Sequence, residues 1–270
     1  IEISGLVQNS TVKAGAGDDT ISASLLNDST SSIFEGNAGE DTIIVTGVTD
    51  YEGLEIRGGA DDDTLTLDGA AVGTDVSAEV IGGAGDDTID TVNATGAVLI
   101  GGAGADDFTW VDGGQTYEID AVTDSTADGL DQISAGAAVD TDVVETVFDG
   151  FDLNLQTAST VSATFDGVSA TLTFSADGKI DFSLEADIND LTAAAGFLSD
   201  ALSTNEVAVF TFSGQAMVTG TDVFLFVEGG DNDTVIEMTD LGTSGVATFS
   251  GANYVPTLTD AFGQTTVTVT

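Results

Sequence analysis

A glycine- and aspartate-rich segment of eight residues recurs five times, without gaps, between residues 14 and 108. The copies read AGAGDDTI from Ala14, GNAGEDTI from Gly36, GGADDDTL from Gly58, GGAGDDTI from Gly82 and GGAGADDF from Gly101. Their starts are 22, 22, 24 and 19 residues apart. A period of this length is typical of a solenoid, in which each repeat forms one coil and neighbouring coils bury a shared core. The repeat therefore predicts stacked coils over this part of the chain.

Apolar residues occupy fixed places around each copy. Position eight of the segment is always apolar, as Ile21, Ile43, Leu65, Ile89 and Phe108. A second column lies two residues before each segment, as Val12, Phe34, Ile56, Val80 and Leu99, and a third lies two residues after position eight, as Ala23, Val45, Leu67, Thr91 and Trp110. Alternate residues of a strand face the same side. Each coil should therefore contain two strands, one on each side of the acidic turn.

Position six of the segment is aspartate in every copy, as Asp19, Asp41, Asp63, Asp87 and Asp106. Coils stacked at the strand spacing of about 4.8 Å bring these residues into one column. Such a column is repulsive unless a cation lies between successive turns. Carboxylate and backbone carbonyl oxygens are the ligands that Ca²⁺ prefers. The alternatives are a metal-free acidic solenoid and a phosphate-binding glycine loop, and the acids beside the glycines argue against phosphate.

These segments resemble the G-G-x-G-x-D-x-U-x repeat of the repeats-in-toxin family, whose members form calcium-filled parallel β-rolls. The resemblance implies that the five aspartates bind Ca²⁺ together with turn residues of adjacent coils, namely Gly15, Gly17, Gly36, Gly39, Gly58, Asp61, Gly82, Gly85, Gly101 and Gly104. Five stacked turns would hold about four ions. The turns at the opposite edge lack the motif, so we expect one calcium column. Ala14, Asn37 and Asp61 depart from the family's glycines, although Asn and Asp tolerate left-handed backbone.

The chain divides by pattern into three parts. Residues 1–112 form the expected β-roll, and residues 113–160 form a degenerate cap in which Asp124, Asp128 and Asp131 either complete an end site or lie in a solvated loop. Residues 161–270 predict a mainly antiparallel β region, because Asp-Gly pairs at 166–167 and 177–178 separate alternating apolar runs. One helix is expected over residues 189–202. The predicted fold is thus all-β, with a parallel solenoid, an antiparallel C-terminal region and one short helix.

The C-terminal part carries two further signals. The turn Gly229-Gly230-Asp231-Asn232-Asp233 partly matches the acidic repeat, and it predicts either another Ca²⁺ site with Asp231 and Asp233 or an ordinary acidic hairpin. Residues 207–241 resemble the C-terminal secretion-signal regions of type I secreted members of the family, which implies that Thr270 is at or near the true C-terminus. Since the sequence opens at Ile1 rather than Met, we expect a processed or excerpted part of a longer polypeptide.

Charge and composition exclude several classes of function. Acidic residues number 47 and basic residues three, giving a formal net charge of −44, so nucleic acid and anionic membrane surfaces are repelled. Cysteine and histidine are absent, which removes disulfides, thiolate metal sites and the usual general base. No apolar run approaches the ~20 residues of a membrane helix. Because the acids repeat as identical copies rather than one distinctive constellation, we expect no enzyme activity.

The combined expectation is a secreted, calcium-dependent structural protein at the cell surface or beyond it. Its β-roll would fold and rigidify on binding Ca²⁺ after export, and the chain would serve as a surface-layer, filament or matrix subunit. Partners would be further copies of the same chain, in an oligomer or polymer, with a cell-surface polysaccharide as another candidate. The alternative is the non-catalytic secretion portion of a larger secreted enzyme, toxin or adhesin.

Overall fold

The computed structural model describes residues 1–5, 8–25, 31–48, 52–69, 78–94, 96–111, 116–119, 125, 130–135, 143–148, 154–155, 160–174, 179–181, 191–204, 206–211, 223–228, 233–239, 246–250, 257–259 and 266–269. These residues are mainly β-strand, with one short helix. No helix among them is long and apolar enough to cross a membrane.

Each coil contributes one strand to each of two parallel sheets. The first sheet contains β1 (Glu2–Gly5), β3 (Thr20–Leu25), β5 (Thr42–Val48), β7 (Thr64–Gly69), β9 (Thr88–Val92), β11 (Asp107–Val111) and β13 (Asp131–Ala135). The second sheet contains β2 (Thr11–Ala16), β4 (Ile33–Ala38), β6 (Leu54–Ala60), β8 (Ala78–Ala84), β10 (Val98–Ala103), β12 (Thr116–Ile119) and β14 (Val143–Phe148). This arrangement is the parallel β-solenoid that the repeat predicts.

The strand register confirms the apolar columns. Position eight stacks from coil to coil in the order Ile21, Ile43, Leu65, Ile89 and Phe108, and Ile133 extends this column by one coil. The column that begins at Val12 reaches Tyr117, the residue in register with Leu99. These side chains, apart from the partly buried Val12, form one buried core between the two sheets. Burial of that shared core holds the stack together.

Both sheets continue into the C-terminal part of the chain. In the first sheet, β21 (Thr234–Thr239) pairs in parallel with β13, and β20 (Val223–Val227) and β19 (Glu206–Thr211) follow in antiparallel order. Two short strands, β15 (Asn154–Leu155) and β18 (Lys179–Asp181), pair with β19. In the second sheet, β22 (Val246–Ser250) pairs in parallel with β14, then β24 (Thr266–Val269) with β22, and β23 (Thr257–Thr259) is antiparallel to β24. The predicted domain boundaries near residues 112 and 160 stay predictions, although the sheets run past both.

A hairpin and the helix build a second core. Strands β16 (Thr160–Phe165) and β17 (Val168–Thr173) are antiparallel around Asp166-Gly167, which confirms that hairpin. Helix α1 (Leu191–Ala201) confirms the body of the predicted helix, whose first residues, 189 and 190, lie outside the described ranges, as does the second Asp-Gly pair. The second core contains Ala163, Leu172, Phe174, Ile180, Ala194, Ala195, Phe197, Leu198, Leu202, Ala208, Phe210, Phe224, Phe226 and Val235.

Candidate metal centre

The position-six aspartates stack into a hydrogen-bonded ladder along one edge of the solenoid. We number the coils upward from the N-terminus. From Asp41 onward, each aspartate accepts, through Oδ1, the backbone N–H of its equivalent in the coil below. The bonds run from Asp19 N to Asp41, Asp41 N to Asp63, Asp63 N to Asp87, Asp87 N to Asp106 and Asp106 N to Asp131, with lengths of 2.8, 2.7, 2.7, 2.8 and 3.0 Å. One oxygen of each carboxylate above Asp19 is therefore fixed by the fold itself.

The second carboxylate oxygen is left without a partner in the middle of this ladder. Asp41, Asp63 and Asp87 expose only 2%, 2% and 1% of their surface, and their Oδ2 atoms are buried with no hydrogen-bond partner in the described structure. A buried, unpaired carboxylate oxygen is costly, because it has lost its water and gained nothing in return. Each of these atoms therefore needs a cation or a proton.

The glycine at position one makes room for this unpaired oxygen in the segments that begin at Gly36, Gly58 and Gly82. A methyl group added there would lie 2.3 Å from the Oδ2 atom of the same segment and 2.6 to 2.7 Å from the position-one carbonyl oxygen of the next coil. We call these places the three cradles, formed by Gly36, Asp41 and the Gly58 carbonyl, by Gly58, Asp63 and the Gly82 carbonyl, and by Gly82, Asp87 and the Gly101 carbonyl. At Gly101 an added methyl would likewise lie 2.2 Å from Asp106 Oδ2.

Glycines at positions two and four serve the turn in another way. Gly15, Gly17, Gly39, Gly59, Gly83, Gly85, Gly102 and Gly104 all have positive φ. From Gly39 onward, a methyl group on any of these six would lie within 3 Å of backbone in the coil below. Asn37 and Asp61 replace glycine with φ of 86° and 76°, as expected for residues that tolerate this conformation. The sequence predicted positive φ for the turns. It did not show that position one is glycine because a side chain there would collide with the aspartate of the same segment.

Position-five acids form a second, opposite set of bonds. Asp18 Oδ1 accepts the N–H of Glu40, Asp62 that of Asp86, and Asp86 that of Ala105, at 3.2, 2.9 and 2.9 Å. Here the acceptor lies in the lower coil and the donor in the upper coil. Unlike the position-six acids, these side chains are exposed to solvent. Their charge is therefore hydrated and needs no buried partner.

Burial raises the pKa of two position-six acids, Asp63 and Asp87. The pKa of Asp63 rises from 3.8 to about 6 and that of Asp87 to about 8, in each case mainly because the buried carboxylate has lost its hydration. Neighbouring acids of the ladder raise both pKa values further, whereas the backbone hydrogen bond to each carboxylate lowers them. Without a cation, the charged ladder is therefore unfavourable near neutral pH.

The upper end of the ladder is closed by protein groups. Asp131 is buried in register above Asp106, which rules out a solvated loop for this residue. The Tyr117 hydroxyl donates to Asp131 Oδ2, and the Asp131 N–H donates to Ser125 Oγ at 2.8 Å. The next residue in the column is the buried Ile236. The column of acids thus ends at Asp131, and residues 124 and 128 lie outside the described ranges.

The strand that follows the acidic turn predicted at residues 229–233 joins the first sheet in a different register. Ile236, rather than Asp233, stands opposite Asp131, so Asp233 lies three residues before the column position. Asp231 and the glycines of this turn lie outside the part of the chain that the structure describes. A calcium site with Asp231 and Asp233 stays a prediction.

The three cradles offer a mixed oxygen set. Across the described ranges, no three acidic side chains converge closely enough to hold an ion by themselves. Each cradle instead pairs one unpartnered carboxylate oxygen with a backbone carbonyl oxygen of the next coil. Carboxylates and carbonyls together suit a hard cation, and the flexible coordination of Ca²⁺ suits them better than the strict octahedron of Mg²⁺. The residues present therefore fit a calcium ion.

Comparison with protein-family models, with curated proteins and with solved structures found no match for this chain. Its class is therefore defined by its own geometry. The chain is a parallel β-solenoid with a buried ladder of aspartates along one edge.

Proposed function

We propose that this chain is a calcium-stabilised structural protein that works outside the cell, as a subunit of a surface layer, filament or matrix. The observation that carries the proposal is the unpaired, buried Oδ2 atom in each of the three cradles, facing a carbonyl oxygen of the next coil. Calcium between the coils would neutralise these carboxylates. The ladder would then become a source of stability instead of repulsion.

Calcium binding would couple folding to export. An ion that binds only the folded chain stabilises it by about 2.7 kcal/mol per site when its concentration is 100 times Kd. Where calcium is scarce, as inside a cell, the uncompensated ladder and a net charge of −44 favour the open chain. Where calcium is plentiful, the same sequence folds. We therefore assign the folded protein to the extracellular space, in keeping with its likeness to the repeats-in-toxin repeat.

A structural role follows from the repetition of the site. The ladder offers the same chemistry in successive coils, and this stiffens a rod rather than building one catalytic centre. We propose no catalytic activity for the chain. The partners that fit a rigid, acidic solenoid are further copies of itself, and a cell-surface polysaccharide is a second candidate.

Electron microscopy of the purified chain, with calcium and after chelation, tests this function. We expect ordered sheets or filaments with calcium and their loss after chelation, with magnesium at the same ionic strength as the control. Ordered assembly that is indifferent to calcium would contradict the proposal. A chain that folds with calcium but stays monomeric would favour the alternative role, as the secretion portion of a larger secreted enzyme, toxin or adhesin.

A further inference from the structure

The first turn of the ladder differs from all the turns above it at position one. Position one is glycine in the second to fifth turns, but Ala14 occupies it in the first. Ala14 is partly buried and packs against the solenoid core, on the inward side of β2. Its methyl group therefore stands where the structure leaves space for a carboxylate in the coils above.

The space in the upper coils is too small for a methyl group and a carboxylate together. At Gly36, Gly58 and Gly82 an added methyl would approach the aspartate Oδ2 to 2.3 Å, well inside van der Waals contact. Asp19 therefore cannot hold its carboxylate beside Ala14 as Asp41 does beside Gly36. In agreement, Asp19 is only partly buried, whereas its equivalents from Asp41 to Asp106 are buried.

We propose that the Ala14 methyl group closes the lowest calcium site, the one between the first and second turns. This inference rests on the proposed calcium ladder and sets its lower limit. Calcium would then bind from Asp41 upward, while Asp19 contributes its backbone N–H to Asp41 and leaves its carboxylate to solvent. In the sequence this difference is hidden, because all five aspartates occupy position six of their segments.

The substitution Ala14→Gly tests the inference through the number of calcium ions bound. At saturating calcium, measured by isothermal titration calorimetry and native mass spectrometry, A14G should bind one more ion per chain than the wild type. The matched control is Ala16→Gly, which adds the same glycine to the same turn at an exposed position and should leave the number unchanged. Adding Asp19→Asn to A14G should remove the extra ion.

The reverse substitution provides a second measurement of the number of bound ions, which serves if A14G folds poorly. Gly36→Ala places a methyl group 2.3 Å from Asp41 Oδ2 and should lower the number by one ion. An A14G chain that binds the same number of ions as the wild type would overturn this inference and leave the calcium ladder intact. A wild-type chain that binds no calcium would overturn the proposed function, and this inference with it.

Discussion

Each aspartate in the middle of the ladder uses its two carboxylate oxygens differently. Oδ1 accepts a backbone N–H from the coil below, so it contributes to the fold whether or not an ion is bound. Oδ2 lies beside the position-one glycine, as does a carbonyl oxygen of the next coil, and it has no hydrogen-bond partner. Substitution with asparagine separates the two roles, because the amide keeps an oxygen acceptor and replaces the other oxygen with an N–H donor.

Asp63→Asn should therefore have opposite effects on metal-free and calcium-bound protein. In chelator at neutral pH, we expect its free energy of unfolding to rise by about 1–3 kcal/mol, since a buried unpaired charge is removed. In saturating calcium, we expect the variant to bind one calcium ion fewer than the wild type. Urea unfolding and calcium titration measure both effects. The matched control is Asp62→Asn, an exposed acid one residue earlier, which should change the free energy of unfolding by less than about 0.5 kcal/mol and leave the number of bound ions unchanged.

The raised pKa values of Asp63 and Asp87 predict an unusual pH dependence for the metal-free chain. An aspartate whose folded pKa exceeds its unfolded value of 3.8 binds more protons when folded, so stability falls as pH rises through that interval. In chelator, the urea midpoint should be highest below about pH 4, decline through about pH 6 and pH 8, and then level off. In saturating calcium, the urea midpoint should instead rise with pH, because the ion displaces the proton from the carboxylate. A midpoint in chelator that rises over this range would contradict the assignment.

Among the structural elements, the acidic turn and its two flanking strands could be predicted from the sequence, because their pattern is local. Inward columns, glycine positions and the tolerance of Asn37 and Asp61 for positive φ all follow from residues within one repeat. The sequence left Asp131 open between an end site and a solvated loop, because this sixth acid of the ladder lacks the glycine turn before it. The sequence signal for its place in the ladder is the pair Asp131 and Ile133, which keeps the spacing of positions six and eight.

Strands from the C-terminal region could not be placed by sequence. β21 extends the first sheet from β13 although about a hundred residues separate them, and its register puts Ile236 above Asp131. Pairing over such a distance depends on packing rather than on a local signal. The same limit explains why the acidic turn before β21 matches the repeat in sequence while Asp233 lies off the column.

Tyr117 caps the ladder by giving Asp131 Oδ2 the donor that Asp41, Asp63 and Asp87 lack at the same atom. Tyr117→Phe should lower the free energy of unfolding by about 1–3 kcal/mol at neutral pH, because a buried carboxylate oxygen loses its hydrogen bond. A double-mutant cycle with Asp131→Asn, measured by urea unfolding in calcium, isolates this contact. We expect a coupling energy of at least about 1 kcal/mol. Additive effects of the two substitutions would show that the hydroxyl does not stabilise the end of the ladder.

For the whole molecule, the free energy of unfolding is close to the sum of the contributions of the individual coils and of the contacts between neighbouring coils. The core supplies apolar burial at each contact, while the ladder adds buried carboxylates whose charge few groups offset. Among the described residues, Lys13 pairs with Glu35 and Arg57 with Glu55, and these pairs involve exposed basic side chains rather than the ladder. No basic side chain among the described residues therefore pairs with the ladder.

Thermal unfolding followed by circular dichroism, in saturating calcium and after complete chelation at neutral pH, tests this account most directly. Three cradles whose carboxylates are neutralised by calcium predict a large fall in Tm on chelation, with loss of β signal well below the temperature at which the calcium form melts. Magnesium at equal ionic strength should restore little of the difference. A chain whose β signal and Tm are the same with and without calcium would contradict the proposal that ions between the coils hold this solenoid together.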